Sequence, residues 1–174
     1  EYLNTFNRYF SNGTEVMLNI PKVRLKGSLL HRYLLPERLF AWGIAAAGVG
    51  NGRPFLAVGG SWGYNKNIFQ AAGGFGEISR SLSGDDDLLV YRMGRLSSQI
   101  SVCSDPGGWV QTDLPATPRE FFIQRRRHHS AGKYYAAGVQ LGYAAYHGSN
   151  FLLWVLPLFF IEIYRPRLPR RNPA

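Results

Sequence analysis

Apolar residues between Leu29 and Val49 recur at nearly helical spacing and predict a long helix. They are Leu30, Leu34, Leu35, Leu39, Trp42 and Ile44. Most of the gaps between them are three or four residues, as on one face of a helix. Pro36 should bend or split this helix, and the glycine-rich run Gly48–Gly52 should end it.

Shorter patterns predict further elements. The predicted strands are Glu15–Ile20, ended by Pro21, then Phe55–Val58, Ile100–Cys103 and Trp109–Thr112. The predicted helices are a short one ending at Ala72, one over Leu88–Met93 with acids in its first turn, and one over Pro118–Ser130. This mixture predicts an α/β domain over residues 1–133.

The carboxyl-terminal part carries a long uncharged stretch. The 28 residues from Tyr134 to Ile161 contain no Asp, Glu, Lys or Arg. A bilayer-spanning helix needs about 20 predominantly apolar residues. We therefore expect a transmembrane or interfacial helix over residues 134–164, followed by a basic tail over 165–174.

Charge is unevenly spread along the chain. The net charge is +9, and the part from Arg119 onward holds nine Lys or Arg against two Glu. A basic end of this kind suggests an anionic partner such as phospholipid, nucleic acid or a diphosphate. Cys103 is the single cysteine, which excludes an internal disulfide. The first residues show neither a Met nor a signal peptide, so we expect a fragment of a longer protein.

Three consecutive carboxylates, Asp85–Asp87, follow Gly84 and precede an apolar helical run. Acids at a helix amino terminus interact favourably with the helix dipole, so capping is one interpretation. Three in a row exceed what capping needs, because like charges repel. Clustered carboxylates can instead supply a base or hold a cation. The residue types alone leave both interpretations open.

A basic run, Gln124–His129, lies on the helix predicted over Pro118–Ser130. At helical spacing Gln124, Arg127 and His128 share one face. An amide, a guanidinium and an imidazole suit the binding of phosphate oxygens. The simpler alternative is a solvated basic stripe beside a membrane. Adjacent histidines diverge on a helix and no further ligand lies at the usual spacing, so we do not expect a metal site there.

The loop Gly59–Gly63 is rich in glycine but matches neither a phosphate-binding loop nor a dinucleotide fingerprint. Glycine lets a backbone approach a ligand closely, and it also simply makes turns. Taken alone, this loop indicates a turn.

Read in order, these motifs resemble one enzyme family. They are Tyr64–Phe69 after the glycine-rich loop, Gly73–Phe75, Gly84–Leu89, Val110–Thr117 and Gln124–His128, followed by the apolar segment. Over residues 54–160 the chain resembles the second half of family 2 glycosyltransferases, the group that contains cellulose and hyaluronan synthases. The resemblance implies the back half of a glycosyltransferase-A fold and inverting sugar transfer at a membrane.

The resemblance also implies residue roles. The general base is usually the last acid of a Thr-Glu-Asp or Gly-Asp-Asp triplet, which corresponds here to Asp86, with Asp85 beside it as the alternative. Gln124 and Arg127 match the family's Gln-x-x-Arg-Trp motif, which binds the donor diphosphate and acceptor. His128 replaces the Trp, which puts processive synthesis in doubt more than transfer itself. Gly60, Trp62 and Asp87 are expected along the acceptor side.

The implied partners are a nucleotide-sugar donor, a glycan or lipid acceptor and membrane lipids, with no nucleic acid. The implied cofactor is a divalent cation, Mg²⁺ or Mn²⁺, held mainly by an Asp-x-Asp in an upstream half with the nucleotide pocket. The expected location is the bacterial inner membrane, with the catalytic part cytoplasmic. A non-catalytic basic protein that binds anionic lipid is the alternative. Nucleic-acid binding is the weakest of the three hypotheses, because the basic run adjoins an apolar segment instead of forming a stripe on a soluble domain.

Overall fold

The computed structural model describes residues 1–58, 60–76, 78 and 83–163. The chain is mixed α/β, and it divides after Tyr134 into two compact units. The first unit contains helices α1 (Tyr2–Ser11), α2 (Leu29–Gly50), α3 (Lys66–Ala71), α4 (Asp85–Met93) and α5 (Pro118–Ser130). Its strands are β1 (Val16–Asn19), β2 (Pro21–Arg24), β3 (Trp62–Tyr64), β4 (Ile100–Cys103) and β5 (Val110–Asp113).

Strand β1 is the centre of a three-stranded sheet. It pairs antiparallel with β3, where Met17 lies opposite Gly63, and parallel with β4, where Met17 lies opposite Ser101. All four residues of β1 are buried. Gly63 is needed here because a Cβ at this position would lie 2.5 Å from Cε1 of Phe6 on α1. Strands β2 and β5 form a separate parallel pair.

Helix α4 supplies much of the buried surface of the first unit. Leu89, Val90 and Met93 are fully buried, as are Val16 and Met17 of β1. The apolar run after the aspartates therefore forms a core-facing helix, as the sequence predicts. Its charged first turn lies at the edge of this core.

Helix α2 begins at a well-defined cap and is fixed by a buried histidine. The hydroxyl of Ser28 accepts from the backbone N–H of His31 at 3.1 Å. The backbone N–H of Lys26 donates to Nδ1 of His31 at 3.0 Å, so Nε2 carries the proton and donates to the carbonyl of Pro115 at 3.1 Å. The imidazole of His31 thus ties the start of α2 to the loop after β5.

Several predicted elements are confirmed. The predictions for α5 and β4 agree with the structure residue for residue, and α2 ends one residue later than predicted. Pro36 lies within α2 and does not divide it. Strands β2 and β3 were not predicted, because their short segments contain proline or glycine and show little periodicity. Helix α1 was also not predicted, although Tyr2, Phe6, Tyr9 and Phe10 recur at helical spacing.

The strand predicted over Phe55–Val58 is wrong, because this segment is irregular. Val58 has a φ of 54°, which lies outside the strand region and is rare for a β-branched residue. The backbone N–H of Ala57 donates to the carboxylate of Asp87 at 2.8 Å instead of to a neighbouring strand. The apolar run Phe55–Val58 thus indicates a partly buried segment and does not indicate a paired strand.

A tight contact around Gly108 gives a stability prediction. A Cβ at this position would lie 2.6 Å from Sγ of the buried Cys103 and 3.2 Å from Cγ2 of Thr5. We expect Gly108→Ala to lower the free energy of unfolding by about 1–3 kcal/mol, as overpacking of a filled core does. Urea denaturation measures the change.

Gly43→Ala is the matched control, because a Cβ at this exposed position in α2 meets nothing within 4 Å. It should raise the free energy of unfolding by about 0.5–1 kcal/mol, since glycine is costly within a helix. Equal stability of Gly108→Ala and the unmodified protein would contradict the packing argument.

The second unit contains α6 (Ala137–Ile163). Pro157 lies within it, and large apolar side chains along it are exposed, namely Leu141, Phe151, Leu152, Leu153, Leu156, Phe159 and Phe160. Within residues 1–58, 60–76, 78 and 83–163, no helix is long and apolar enough to cross a membrane. The predicted basic tail, 165–174, lies outside the described residues, as does residue 164.

Candidate functional site

The aspartate cluster occupies the first turn of α4. Gly84 precedes the helix with a φ of 77°, a left-handed conformation that suits glycine. Asp85 is exposed at the first helical position, and Asp86 is half-buried. The backbone N–H of Asp87 donates to Oδ1 of Asp86 at 3.0 Å. Asp86 therefore satisfies one backbone N–H of the first turn, whereas the cap residue itself, Gly84, contributes no side chain.

Asp87 has a different role from its neighbours, because it fastens the segment before the glycine-rich loop. Its Oδ1 accepts from the N–H of Ala57 at 2.8 Å. The next residue, Val58, holds the unfavourable positive φ, which costs on the order of 1–3 kcal/mol and persists only where surrounding contacts fix it. One carboxylate of the cluster thus has a structural role that the sequence did not reveal.

The glycine-rich loop is fixed at Ser61. Its hydroxyl accepts from Nδ2 of the buried Asn19 at 2.8 Å and lies 2.6 Å from the hydroxyl of Tyr2. Gly60 has a φ of 125° and is exposed. The ring of Trp62 is 4.8 Å from that of Tyr64, so the half-buried indole is held at the start of β3. Gly59 lies outside the described residues.

Helix α5 begins at a pair of caps. The Thr117 hydroxyl accepts from the N–H of Glu120 at 3.2 Å, and Oε2 of Glu120 accepts from the N–H of Ala116 at 2.9 Å. On the face predicted to bind phosphate, Gln124 is half-buried and Arg127 is exposed.

One arginine of α5 attaches this helix to α2. Arg125 forms an ion pair with Glu37, and its guanidinium lies 5.1 Å from the centre of the Phe121 ring. Arg125 is therefore a structural residue, which makes Arg126, exposed on the same helix, the better control for the function of Arg127.

The imidazole of His128 lies among positive charges. Although the residue is exposed by surface area, protein atoms around the ring displace enough solvent to lower the pKa of His128. The guanidiniums of Arg127, Arg38 and Arg125, and the imidazole of His129, lower this pKa further. His128 is therefore mainly neutral at pH 7, since its pKa lies below the usual value of about 6.5.

The predicted site residues thus form two groups on different elements. Asp87 contacts the segment before the glycine-rich loop, whereas Arg125 brings α5 to α2. The hydrogen bonds of Asp86 and Asp87 given above lead to the backbone of α4 and to Ala57, and the ion pair of Arg125 leads to Glu37 on α2. Sequence reasoning overlooked Glu37 and Arg38, although two adjacent charges within a long apolar helix are a signal.

Across the described part of the chain, no three His, Cys, Asp or Glu side chains converge as a metal site. The resemblance assigns the metal ligands to an upstream Asp-x-Asp, so the predicted divalent cation stays a prediction. No protein-family model, curated protein or solved structure matches this chain.

Proposed function

We propose that the chain is part of an inverting glycosyltransferase that moves a sugar from a nucleotide-sugar donor to a glycan or lipid acceptor. The observation that carries the proposal is the run of three consecutive carboxylates in the first turn of α4. The carboxylate of Asp87 accepts a hydrogen bond from the backbone N–H of Ala57, and Asp85 is exposed at the first helical position. A cap needs one acceptor, whereas this turn offers three carboxylates. The order of motifs across residues 54–160 supplies the reaction type.

The proposed chemistry divides between the two groups of residues. Asp86 takes the proton of the acceptor hydroxyl as that oxygen attacks the anomeric carbon of the donor sugar. The bond from this carbon to the diphosphate breaks, and the sugar inverts. Gln124, Arg127 and His128 bind the departing diphosphate and stabilise its growing negative charge. A divalent cation, when bound by upstream ligands, supplies further stabilisation of that charge.

Asp85 is the alternative base. It is exposed on the first turn of α4, where an acceptor hydroxyl can approach. Asp86 has the better match to the family triplet, but its Oδ1 also accepts from the backbone of Asp87. Replacement of each carboxylate separates the two assignments.

A second candidate function is the binding of anionic lipid without catalysis. The observation in its favour is the exposed surface of α5, where Phe122 is 67% exposed, Ile123 is 54% exposed, and Arg126 and Arg127 are exposed beside them. Apolar and basic side chains together suit a phospholipid surface. This candidate gives no chemical role to the three carboxylates at the start of α4.

A donor screen tests the proposed enzyme. Membranes that contain the longest form of the protein are incubated with a panel of nucleotide sugars, and release of nucleoside diphosphate is measured. The anomeric configuration of the product, determined by NMR, should be opposite to that of the donor. Absence of release with every donor, together with retained binding to anionic vesicles, would support the lipid-binding candidate.

We also propose that α6 attaches the protein to a membrane surface. Leu153 is 70% exposed and Phe151 is 65% exposed. Such apolar surface, on a helix whose sequence carries Glu162 near its end and no other Asp, Glu, Lys or Arg, favours contact with lipid. The chain with residues 135–174 should therefore sediment with vesicles, and the chain without them should bind less. Vesicle co-sedimentation measures the difference.

The control for this comparison is vesicle composition. Neutral vesicles test the apolar contribution of α6, because they remove attraction to the arginines of α5. Recovery of the longer chain in the soluble fraction with both neutral and anionic vesicles would contradict membrane attachment.

A further inference from the structure

Arg38 on α2 is an ionic side chain without an evident counter-charge. It is half-buried, and burial lowers the pKa of its guanidinium. No carboxylate within the described part of the chain pairs with it, since the adjacent Glu37 is engaged by Arg125. Removing a guanidinium from water without a partner is costly. An anion bound beside Arg38 would offset this cost.

The packing of α2 against α5 places Arg38 beside the predicted phosphate-binding face. The Glu37–Arg125 ion pair joins the two helices next to Arg38. His128 lies three residues after Arg125, which is nearly one turn along the same side of α5. Arg38 is also close enough to His128 to lower the pKa of the imidazole. The guanidinium of α2 thus lies near the imidazole of His128 on α5.

We propose that Arg38 is an additional anion-binding residue, which forms with Arg127 and His128 a site for the two phosphoryl groups of a diphosphate. A guanidinium offers paired N–H donors that match phosphate oxygens. Burial makes each bond stronger, because less water competes. The assignment of the diphosphate as a leaving group rests on the proposed function, whereas binding itself requires no turnover.

The alternative source of phosphate oxygens is a lipid headgroup. The two sources differ in reach, because a half-buried side chain on α2 contacts a flat lipid surface less readily than exposed arginines such as Arg126. A soluble diphosphate can enter between the two helices. Arg38 should therefore matter for binding of pyrophosphate and not for binding of vesicles.

The test uses the full 174-residue chain with inorganic pyrophosphate as the probe. Calorimetry should show that Arg38→Met weakens pyrophosphate binding by about tenfold or more, because a charge-assisted hydrogen bond is lost. Arg126→Met, the matched control, should change it less than twofold. Binding to phosphatidylglycerol vesicles should be equal in Arg38→Met and the unmodified chain.

Thermal unfolding separates binding from a structural role. Arg38→Met should keep or raise the melting temperature, since an unpaired charge is replaced by an apolar side chain of similar length. In the unmodified chain, pyrophosphate should also protect Arg38, and not Arg126, from phenylglyoxal as read by mass spectrometry. This measurement decides the matter if Arg38→Met does not fold.

Three results overturn the proposal. They are unchanged pyrophosphate affinity in Arg38→Met, an equal loss in Arg126→Met, and a loss of vesicle binding with pyrophosphate affinity retained. Because none of these measurements involves sugar transfer, an inactive donor screen leaves their interpretation intact. Conversely, if the enzyme is active and Arg38→Met binds pyrophosphate normally, the role of Arg38 is wrong and the proposed function stands.

Discussion

Asp86→Asn should lower the rate of sugar transfer by about 10²–10⁴-fold, the usual cost of losing a general base. The amide keeps the shape of the side chain and can still accept from the backbone N–H of Asp87, a bond of 3.0 Å in the structure. It cannot take a proton from the acceptor at neutral pH. The expected loss is therefore chemical and not structural. Steady-state transfer in an active preparation that includes the nucleotide-binding part measures it.

The neighbouring aspartates are the controls. Asp87→Asn should be milder, because an amide oxygen can still accept the 2.8 Å hydrogen bond from Ala57 that fastens the loop. Donor affinity should change little in both variants, because the resemblance places the nucleotide in the upstream half. If Asp85→Asn greatly lowers the rate of transfer and Asp86→Asn leaves it near normal, Asp85 is the general base. Near-normal transfer by all three variants would return the cluster to helix capping.

The parts of the fold that the sequence predicts well are those fixed by local rules. Helix α5 begins at Thr117, whose hydroxyl and Glu120 form the caps that its sequence indicates. Helix α4 follows from acids before an apolar run. Strand β3 was not recognised, because a Trp-Gly-Tyr segment becomes a strand only through its partner β1. Pairing of this kind is a tertiary property.

The candidate site was predictable where it depends on local helical spacing, and not where it depends on tertiary contacts. Spacing alone places Gln124, Arg127 and His128 on one helix face. It does not show that Arg125 would pair with Glu37, or that the charge of Arg38 would act on His128, because these interactions join residues that are far apart in the chain. Likewise, three adjacent aspartates have the same sequence signature. Their different roles depend on which one the Ala57 segment reaches.

The second large effect is expected at Arg127. Arg127→Ala should lower the rate of transfer by about 10²–10³-fold, as loss of one donor to a developing negative charge typically does. Arg127 is exposed and shares a helix face with Gln124 and His128, so it can reach a diphosphate there. His128 can donate a hydrogen bond to the diphosphate but adds little positive charge at pH 7, because its lowered pKa keeps the ring mainly neutral. The same active preparation, assayed at saturating acceptor, measures the effect.

Arg126→Ala is the matched control, since it removes the same charge from the adjacent exposed position of α5. It should leave transfer within about twofold, as surface substitutions usually do. Arg125→Ala is unsuitable, because loss of its ion pair with Glu37 disturbs the attachment of α5 to α2. If Arg126→Ala and Arg127→Ala lose activity equally, the arginines act as a diffuse charge toward lipid, and the diphosphate assignment of Arg127 is wrong. If only Arg127→Ala is impaired, a single face of α5 carries the function.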